Sequence, residues 1–237
     1  MKRIFSLSFF MLGACLLLSL CVWQIYRAQW KDEILEKLDE EYTKDVFGKE
    51  LGFADFMIEK NGDEVIHSGY IQGEFLHASP LFWPKPKDGS LGFYVMYPFM
   101  SEEGFPVLVN LGWVHEDIRT HTPLDNIEIP QGEPLKIGGV ARVYDAGRWG
   151  LSNNADENKW YRYDTEMISE YLALNTSLPD AILFAKDVRP ENILELGDTY
   201  GAEIYPRDTH YQYALFWFSL LVIWLVIIGR MITKKGQ

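Results

Sequence analysis

Two uncharged apolar runs, one near each end of the chain, enclose a middle in which apolar and polar residues largely alternate. The second run, from Tyr211 to Ile228, would reach roughly 27 Å as a helix at 1.5 Å per residue, close to the ~30 Å hydrocarbon core of a bilayer. The first holds about 23 residues, Ile4 to Tyr26, which is longer than a typical signal core. Membrane spans are therefore expected over 4–26 and 211–229, with a domain over 27–209 tied to the bilayer at both ends. Past the first run the helical spacing continues. Trp23, Arg27, Trp30, Ile34 and Leu38 recur every three or four residues, with Asp32, Glu33, Glu36 and Asp39 on other faces, which predicts a helical extension over about 27–42.

From about residue 62 the period becomes two. Glu64 to His77 places Val65, His67, Gly69, Ile71, Gly73 and Phe75 on one alternation, and Pro80, Pro84, Pro86 and Asp88-Gly89 break it. Leu91 to Phe99 and Pro106 to Val114 predict a hairpin, with Val107, Val109, Leu111 and Trp113 on its core face. A second break runs from Thr122 to Pro134. Leu135 to Tyr144 follows as a strand whose Gly138-Gly139 points to a bulge or a close backbone approach. Asp164 or Thr165 caps a short helix with Met167, Ile168, Tyr171 and Leu172 inward, Ala181 to Val188 is the last clear strand, and residues 189–209 read as an extended return. The expected fold is a membrane protein: two transmembrane helices bracketing a mainly antiparallel β (α+β) extracytoplasmic domain, as an open sheet or closed into a small barrel.

Charge sets an orientation. The net charge is −12, yet Lys2, Arg3, Arg230, Lys234 and Lys235 flank the spans, while all 34 acidic residues lie between them. Basic residues are retained on the cytoplasmic side, so both termini are expected in the cytoplasm and the acidic domain outside. Met1-Lys2-Arg3 leads straight into the apolar run with no Arg- and Ser-rich leader, which favours a bacterial inner membrane and a periplasmic domain. Leu12-Gly13-Ala14-Cys15 resembles a lipoprotein cleavage site, but Leu16 to Trp23 continues the apolar run beyond it. An acidic chain of this kind is not expected to bind nucleic acid. Cys15 and Cys21, the two cysteines, both lie in the first span, leaving the domain without a disulfide or a Cys-based metal site.

Catalytic signatures are missing: the sequence has no Gly-x-Ser-x-Gly elbow, no phosphate loop, no dinucleotide fingerprint and no His-Glu-x-x-His. His115-Glu116-Asp117 with His121 gathers metal-binding side chains in one segment, but their spacing matches no established site, and His67 and His77 read as surface or satisfied residues. At the first span's exit, Trp23, Tyr26 and Arg27 suit an interfacial anchor, with Arg27 reaching the headgroups or lying over an indole.

Four stretches in order carry a resemblance: Trp23-Gln24 with Arg27 and Lys31 after the first span, Gly92 to Pro98, Val107-Leu108-Val109-Asn110-Leu111-Gly112-Trp113-Val114, and His210-Tyr211-Gln212-Tyr213-Ala214-Leu215-Phe216-Trp217-Phe218 opening the second span. Together they resemble the surfeit locus protein family of cytochrome c oxidase assembly factors over the whole chain. Leu111 departs from the pattern, since the family usually has Arg there. The resemblance implies a non-enzymatic, chaperone-like factor of the respiratory chain that assists haem a insertion into the catalytic subunit of a haem-copper terminal oxidase. It implies that subunit, haem a synthase and the lipid bilayer as partners, and transient binding of haem a with His210 as the ligand of the haem iron. A neutral imidazole is a competent axial ligand, and Tyr213, Trp217 and Trp23, with Tyr211 and Trp30, would offer flat surface to the ring. A His followed by Tyr and Trp at a membrane interface is also an ordinary anchor. Two other readings stay open: a scaffold that stabilises an oxidase subunit without touching haem, and an extracytoplasmic ligand-binding or enzymatic domain.

Overall fold

The computed structural model describes residues 2–58, 65–86, 89–117, 134–143, 151–190 and 209–233. His121, most of the break between Thr122 and Pro134, and residues 191–208 of the extended return lie outside them. Two compact units divide the chain, one built on Met1–Lys37 with Tyr205–Gln237, the other on Leu38–Ile204.

The first unit holds two helices, α1 (Lys2–Thr43), which runs on into the second unit, and α3 (His210–Thr233). Both are long and apolar enough to cross a membrane: mean hydropathy reaches 2.0 in α1 and 2.2 over His210–Met231. Their buried and half-buried positions repeat at alternating steps of three and four residues. On α1 the series is Phe10, Ala14, Leu17, Cys21, Gln24 and Ala28, with Gly13 and Leu20 half-buried beside it; on α3 it is His210, Ala214, Trp217, Leu221, Trp224 and Ile228. That spacing is the seven-residue repeat of two helices wound together. The cross-links show an antiparallel pair: Trp224 Nε1 donates to Phe10 O at 2.9 Å, Cys21 Sγ lies 3.5 Å from Ala214 O, and His210 Nδ1 lies 2.8 Å from Gln24 Oε1. Gly13 makes room for the Trp224 indole, as small residues do where membrane helices approach closely.

The second unit is built on six strands: β1 (Ile66–Phe75), β2 (Leu81–Pro84), β3 (Gly92–Ser101), β4 (Pro106–His115), β5 (Leu135–Val143) and β6 (Ala181–Arg189). They run in the order β1-β5-β6-β4-β3-β2, and β1 returns to β3 through Gly73↔Ser101 and Phe75↔Phe99, which closes a barrel. Every pairing is antiparallel except β4 with β6, matched at Val109↔Leu183. Setting aside β2, which only extends the edge of β3, the strands follow one another round the barrel as first, second, third, fifth and fourth. The third and fifth are parallel, which is the Greek-key connectivity of OB-type barrels. Ile71, Phe99, Val107, Val109, Leu135 and Leu183 fill the interior. A second apolar cluster lies outside it, where Tyr94, Met96 and Leu108 meet Trp83, Trp160 and Ile168.

The face assignment of β4 differs from the sequence expectation at one residue. Val107, Val109 and Leu111 point inward, but Trp113 packs with the outer cluster and Val114 with the interior. The cause is a bulge: Val95 pairs with Gly112 and Met96 with Asn110, leaving Leu111 as an extra residue that inverts the alternation. Gly112 takes φ 116, a conformation open to glycine. The Gly138/Gly139 irregularity is present, with Gly138 opposite Asp187 and Gly139 opposite Ala185. In the short helix α2 (Thr165–Tyr171), Asp164 is the cap and accepts from Met167 N; Ile168 is buried, while Met167 and Tyr171 are exposed. Tyr163 donates to Pro179 O at 2.7 Å, and burial, followed by the charge of Asp180, pushes its phenol up, so it stays neutral.

The end of α1 is tied to the barrel. Glu41 accepts from Ser68 N at 2.9 Å and Ser68 Oγ at 2.6 Å, and Lys186 Nζ donates to Tyr42 O at 2.6 Å. The loop that follows is held by Asp55, which accepts from Lys49 Nζ at 2.7 Å and Gly52 N at 3.0 Å. Burial pushes the Asp55 carboxyl up, but Lys49, the Gly52 amide and the charge on His67 together hold it below its usual value. A carboxyl lowered by folding stabilises the protein above its unfolded pKa, and that contribution is lost as pH falls through the folded value. Asp55→Asn is therefore expected to cost about 1 kcal/mol at pH 7, with the gap to the unsubstituted protein closing below about pH 4. Urea unfolding of the full chain in detergent at the two pH values measures this; a gap independent of pH would refute it.

Candidate functional site

Among the described residues no group of three or more His, Cys, Asp or Glu side chains is arranged to hold a metal ion. His115 lies at the exposed end of β4, where its Nδ1 accepts from Asp117 N at 3.2 Å, so the ring is engaged in a local turn. Three concavities among the described residues are open depressions. One, between the end of α1 and β1, is lined by Glu41, Lys44, Asp45, Lys49, His67 and Ser68; Lys44 pairs with Glu41 inside it and Lys49 with Asp55 beyond it. On OB-type barrels the face of the second and third strands is a common ligand surface. Here those strands are β3 and β4, and their outward residues Tyr94, Met96 and Leu108 are buried under the second cluster.

The arrangement with the most specific chemistry lies at the start of α3. Thr209 precedes the helix and its carbonyl accepts from Tyr213 N at 3.1 Å. His210 therefore stands on the first turn, half-buried in the seam against α1. Facing it is Gln24, buried to 9% exposure on a seam otherwise made of apolar or small side chains in that stretch. The Gln24 carboxamide oxygen and His210 Nδ1 are 2.8 Å apart. One step further out, Tyr211 donates its hydroxyl to Asp32 Oδ2 at 2.8 Å. Arg27 lies 3.7 Å over the Trp30 ring, the indole alternative of the anchor reading.

The aromatic residues singled out with His210 are spread over different faces. Trp217 lies seven residues along the same seam, half-buried, with its ring 5.2 Å from Phe216. Its indole N–H is shielded and has no hydrogen-bond partner, a costly state in hydrocarbon. Tyr213 and Trp23 are more than half exposed. Tyr213 borders a shallow groove with Thr209, Gln212 and Phe216 on the flank of α3. The donor chemistry fits a haem iron: a half-buried imidazole, oriented through Nδ1 by a second side chain, can present Nε2 as a ligand. The flat surfaces of Tyr213 and Trp23 are exposed, so the described residues offer an open flank for a planar ring.

Gln24 is the site residue that the sequence reading did not isolate. Its signal was a lone carboxamide on the three-and-four repeat of an apolar helix, at a position where the neighbours in the repeat are Cys21 and Ala28.

Comparison with known proteins adds an independent observation. Residues 11–222 match the model of the SURF1 family. A SURF1-like protein of Rickettsia bellii is 27% identical over 233 residues, covering 93% of this chain and 89% of the relative. A SURF1-like protein of Dictyostelium discoideum is 28% identical over 63% of this chain and 66% of its own length. Surfeit locus protein 1 of Takifugu rubripes is 26% identical over 84% of this chain and 85% of its own.

Proposed function

Because the chain belongs to the SURF1 family, we propose that it is a non-enzymatic assembly factor for a haem-copper terminal oxidase, assisting the entry of haem a into the catalytic subunit. The family match along nearly all of the chain supports the assembly role. The pairing of His210 with Gln24 at the start of α3 supports a role in handling haem, because it gives a half-buried imidazole a fixed hydrogen-bond partner. Bound there, haem a would supply an iron that an imidazole nitrogen can ligate. His210 would provide the nitrogen, Gln24 would hold the ring, and Tyr213 and Trp23 would give apolar surface beside it. The protein sits in a bacterial inner membrane with both termini cytoplasmic and the barrel in the periplasm, a placement supported by the basic residues outside the spans and the acidic excess between them. Its partners are the oxidase catalytic subunit, haem a synthase and the bilayer.

A second reading has one observation in its favour. α1 and α3 leave large side chains such as Leu12, Leu16, Phe216 and Ile223 exposed on their outer faces, which suits packing against further helices without any cofactor.

The test is an optical spectrum of the full chain, purified in mild detergent from cells that make haem a, beside His210→Ala. A haem a spectrum in the unsubstituted protein, reduced at least tenfold in the variant, is expected. Haem retained by the variant would remove His210 as ligand. Haem in neither would leave the scaffold reading, with co-purification of the oxidase subunit as its own check.

A further inference from the structure

All 34 Asp and Glu residues lie between the spans, and several cations of the barrel domain meet that excess directly: Lys44 pairs with Glu40 and Glu41, Lys49 with Asp55 and Lys159 with Glu157. One pair of cations stands apart. Lys136 and Arg189 lie directly opposite one another on β5 and β6, both exposed, and neither forms an ion pair among the described residues. Like charges placed opposite on neighbouring strands repel one another. In place of carboxylates they meet rings: Lys136 Nζ lies 4.9 Å from the centre of the Tyr70 ring and Arg189 Cζ 3.9 Å from that of Phe47, and the two rings are 6.1 Å apart. Gly138, opposite Tyr70 in the sheet, makes room for this aromatic floor, because a β-carbon there would come within 2.5 Å of Val46 and 3.2 Å of Phe47.

We propose that Lys136 and Arg189, laid over the Tyr70 and Phe47 rings, form a docking site for a carboxylate presented by an acidic stretch of a partner protein. A ring face attracts a cation without neutralising it, so the charge stays available. A guanidinium held over a ring keeps N–H groups for a carboxylate, which can take two of them at once, and the ammonium opposite supplies a further donor. The neighbouring charges choose the occupant. Glu50 accepts from Tyr70 Oη at 3.3 Å, Asp187 lies opposite Gly138 with its Oδ1 bonded to Val188 N, and Lys186 beside it donates to Tyr42 O. An anionic lipid surface would press a broad negative charge against Glu50 and Asp187 as well as against the cations. One acidic side chain on a flexible segment can reach the cations alone. The site lies wholly in the barrel domain and uses none of the residues at the start of α3, so it stands apart from the haem reading.

The experiment uses the full chain in mild detergent and a fluorescein-labelled peptide of four glutamates, followed by anisotropy at low salt, with a labelled peptide of four glutamines as the blank. The acidic peptide is expected to bind, to bind about tenfold or more weakly when Lys136→Gln and Arg189→Gln are combined, and to be released as salt is raised. Carbodiimide, which joins an amine to a carboxylate in contact with it, is expected to link the peptide to Lys136 ahead of the exposed Lys37 and Lys186. Glutamine keeps an apolar stem beside each ring and both positions are exposed, so the urea midpoint of the double variant should match that of the unsubstituted protein. A double variant that loses stability but binds the acidic peptide as before would make the contacts with the rings structural and overturn the proposal. Equal binding of the glutamine peptide would overturn it as well, as would cross-links spread evenly over the exposed lysines. Vesicles containing phosphatidylglycerol that shield Lys136 of the embedded chain from acylation, where phosphatidylcholine vesicles do not, would put the bilayer in place of a partner protein and likewise overturn it. None of these readouts needs haem or an oxidase subunit, so their failure is distinct from failure of the assembly reading.

Discussion

Trp160→Ala is expected to lower the unfolding free energy of the barrel domain by about 3–5 kcal/mol. The indole is fully buried, lies 6.2 Å from the Trp83 ring and 5.1 Å from Tyr171, and donates through Nε1 to Asn158 Oδ1 at 2.8 Å. Its backbone N–H also bonds Phe82 O at 3.0 Å, and Asn158 Nδ2 reaches Pro80 O at 2.7 Å, so this one segment seats β2 against the barrel. Truncation removes the packing and leaves the Asn158 oxygen facing a cavity. Trp160→Phe keeps most of the ring and should recover more than half of the loss. Urea unfolding of the full chain in detergent, followed by the remaining tryptophans, measures both; a loss below about 1 kcal/mol for alanine would mean that the outer cluster is not integral to the domain.

Gly139→Ala is expected to cost about 3 kcal/mol, a large effect for a single methyl group. Gly139 lies at the irregularity between β5 and β6, and a β-carbon there would sit closer to the Phe184 carbonyl oxygen than side-chain atoms do. The obstacle is backbone, so no rotamer change relieves it. The strands would have to part at the point where β6 also reaches across to β4. Amide exchange should show protection lost in β6 around Phe184, while the hairpin of β3 and β4 keeps its protection. A variant as stable as the parent would show that the two strands have more room there than the structure gives them.

Much of this fold was legible because it is written in local periods. Alternation found β1, β3, β4, β5 and β6 nearly at their observed limits, and the two apolar runs identified the helices long enough to cross a membrane. Other features depend on information that no local pattern holds. Pro80 and Pro84 read as a break, yet Pro84 is the last residue of β2, on the edge of the sheet, where a missing N–H is tolerated. Trp113 was assigned inward because nothing in the sequence announces that Leu111 is an extra residue. Met167 and Tyr171 sit at helical spacing, but α2 buries only a narrow stripe around Ile168. Closure of the barrel rests on three pairs between β1 and β3, far apart in the chain. At the site, His210 stood out as the last strongly polar group before an apolar helix, whereas its relation to Gln24, 186 residues earlier, needed the two helices to be seen side by side.

The seven-residue repeat on α1 and α3 bears on how the finished protein is reached. The two helices leave the ribosome with most of the chain between them, and after insertion they must find one another by sliding and turning in the plane of the lipid. Small or apolar layers such as Cys21 with Ala214 tolerate many stopping points, since a displacement of one repeat, about 10.5 Å, again sets apolar side chains against one another. Gln24 and His210 remove that degeneracy. Moved by one repeat, the imidazole would lie beside Lys31 or, in the other direction, beside Leu17, and the two polar side chains would no longer meet one another. One polar pair on an otherwise apolar seam thus serves as the stop that tells a lipid-embedded search when it has ended.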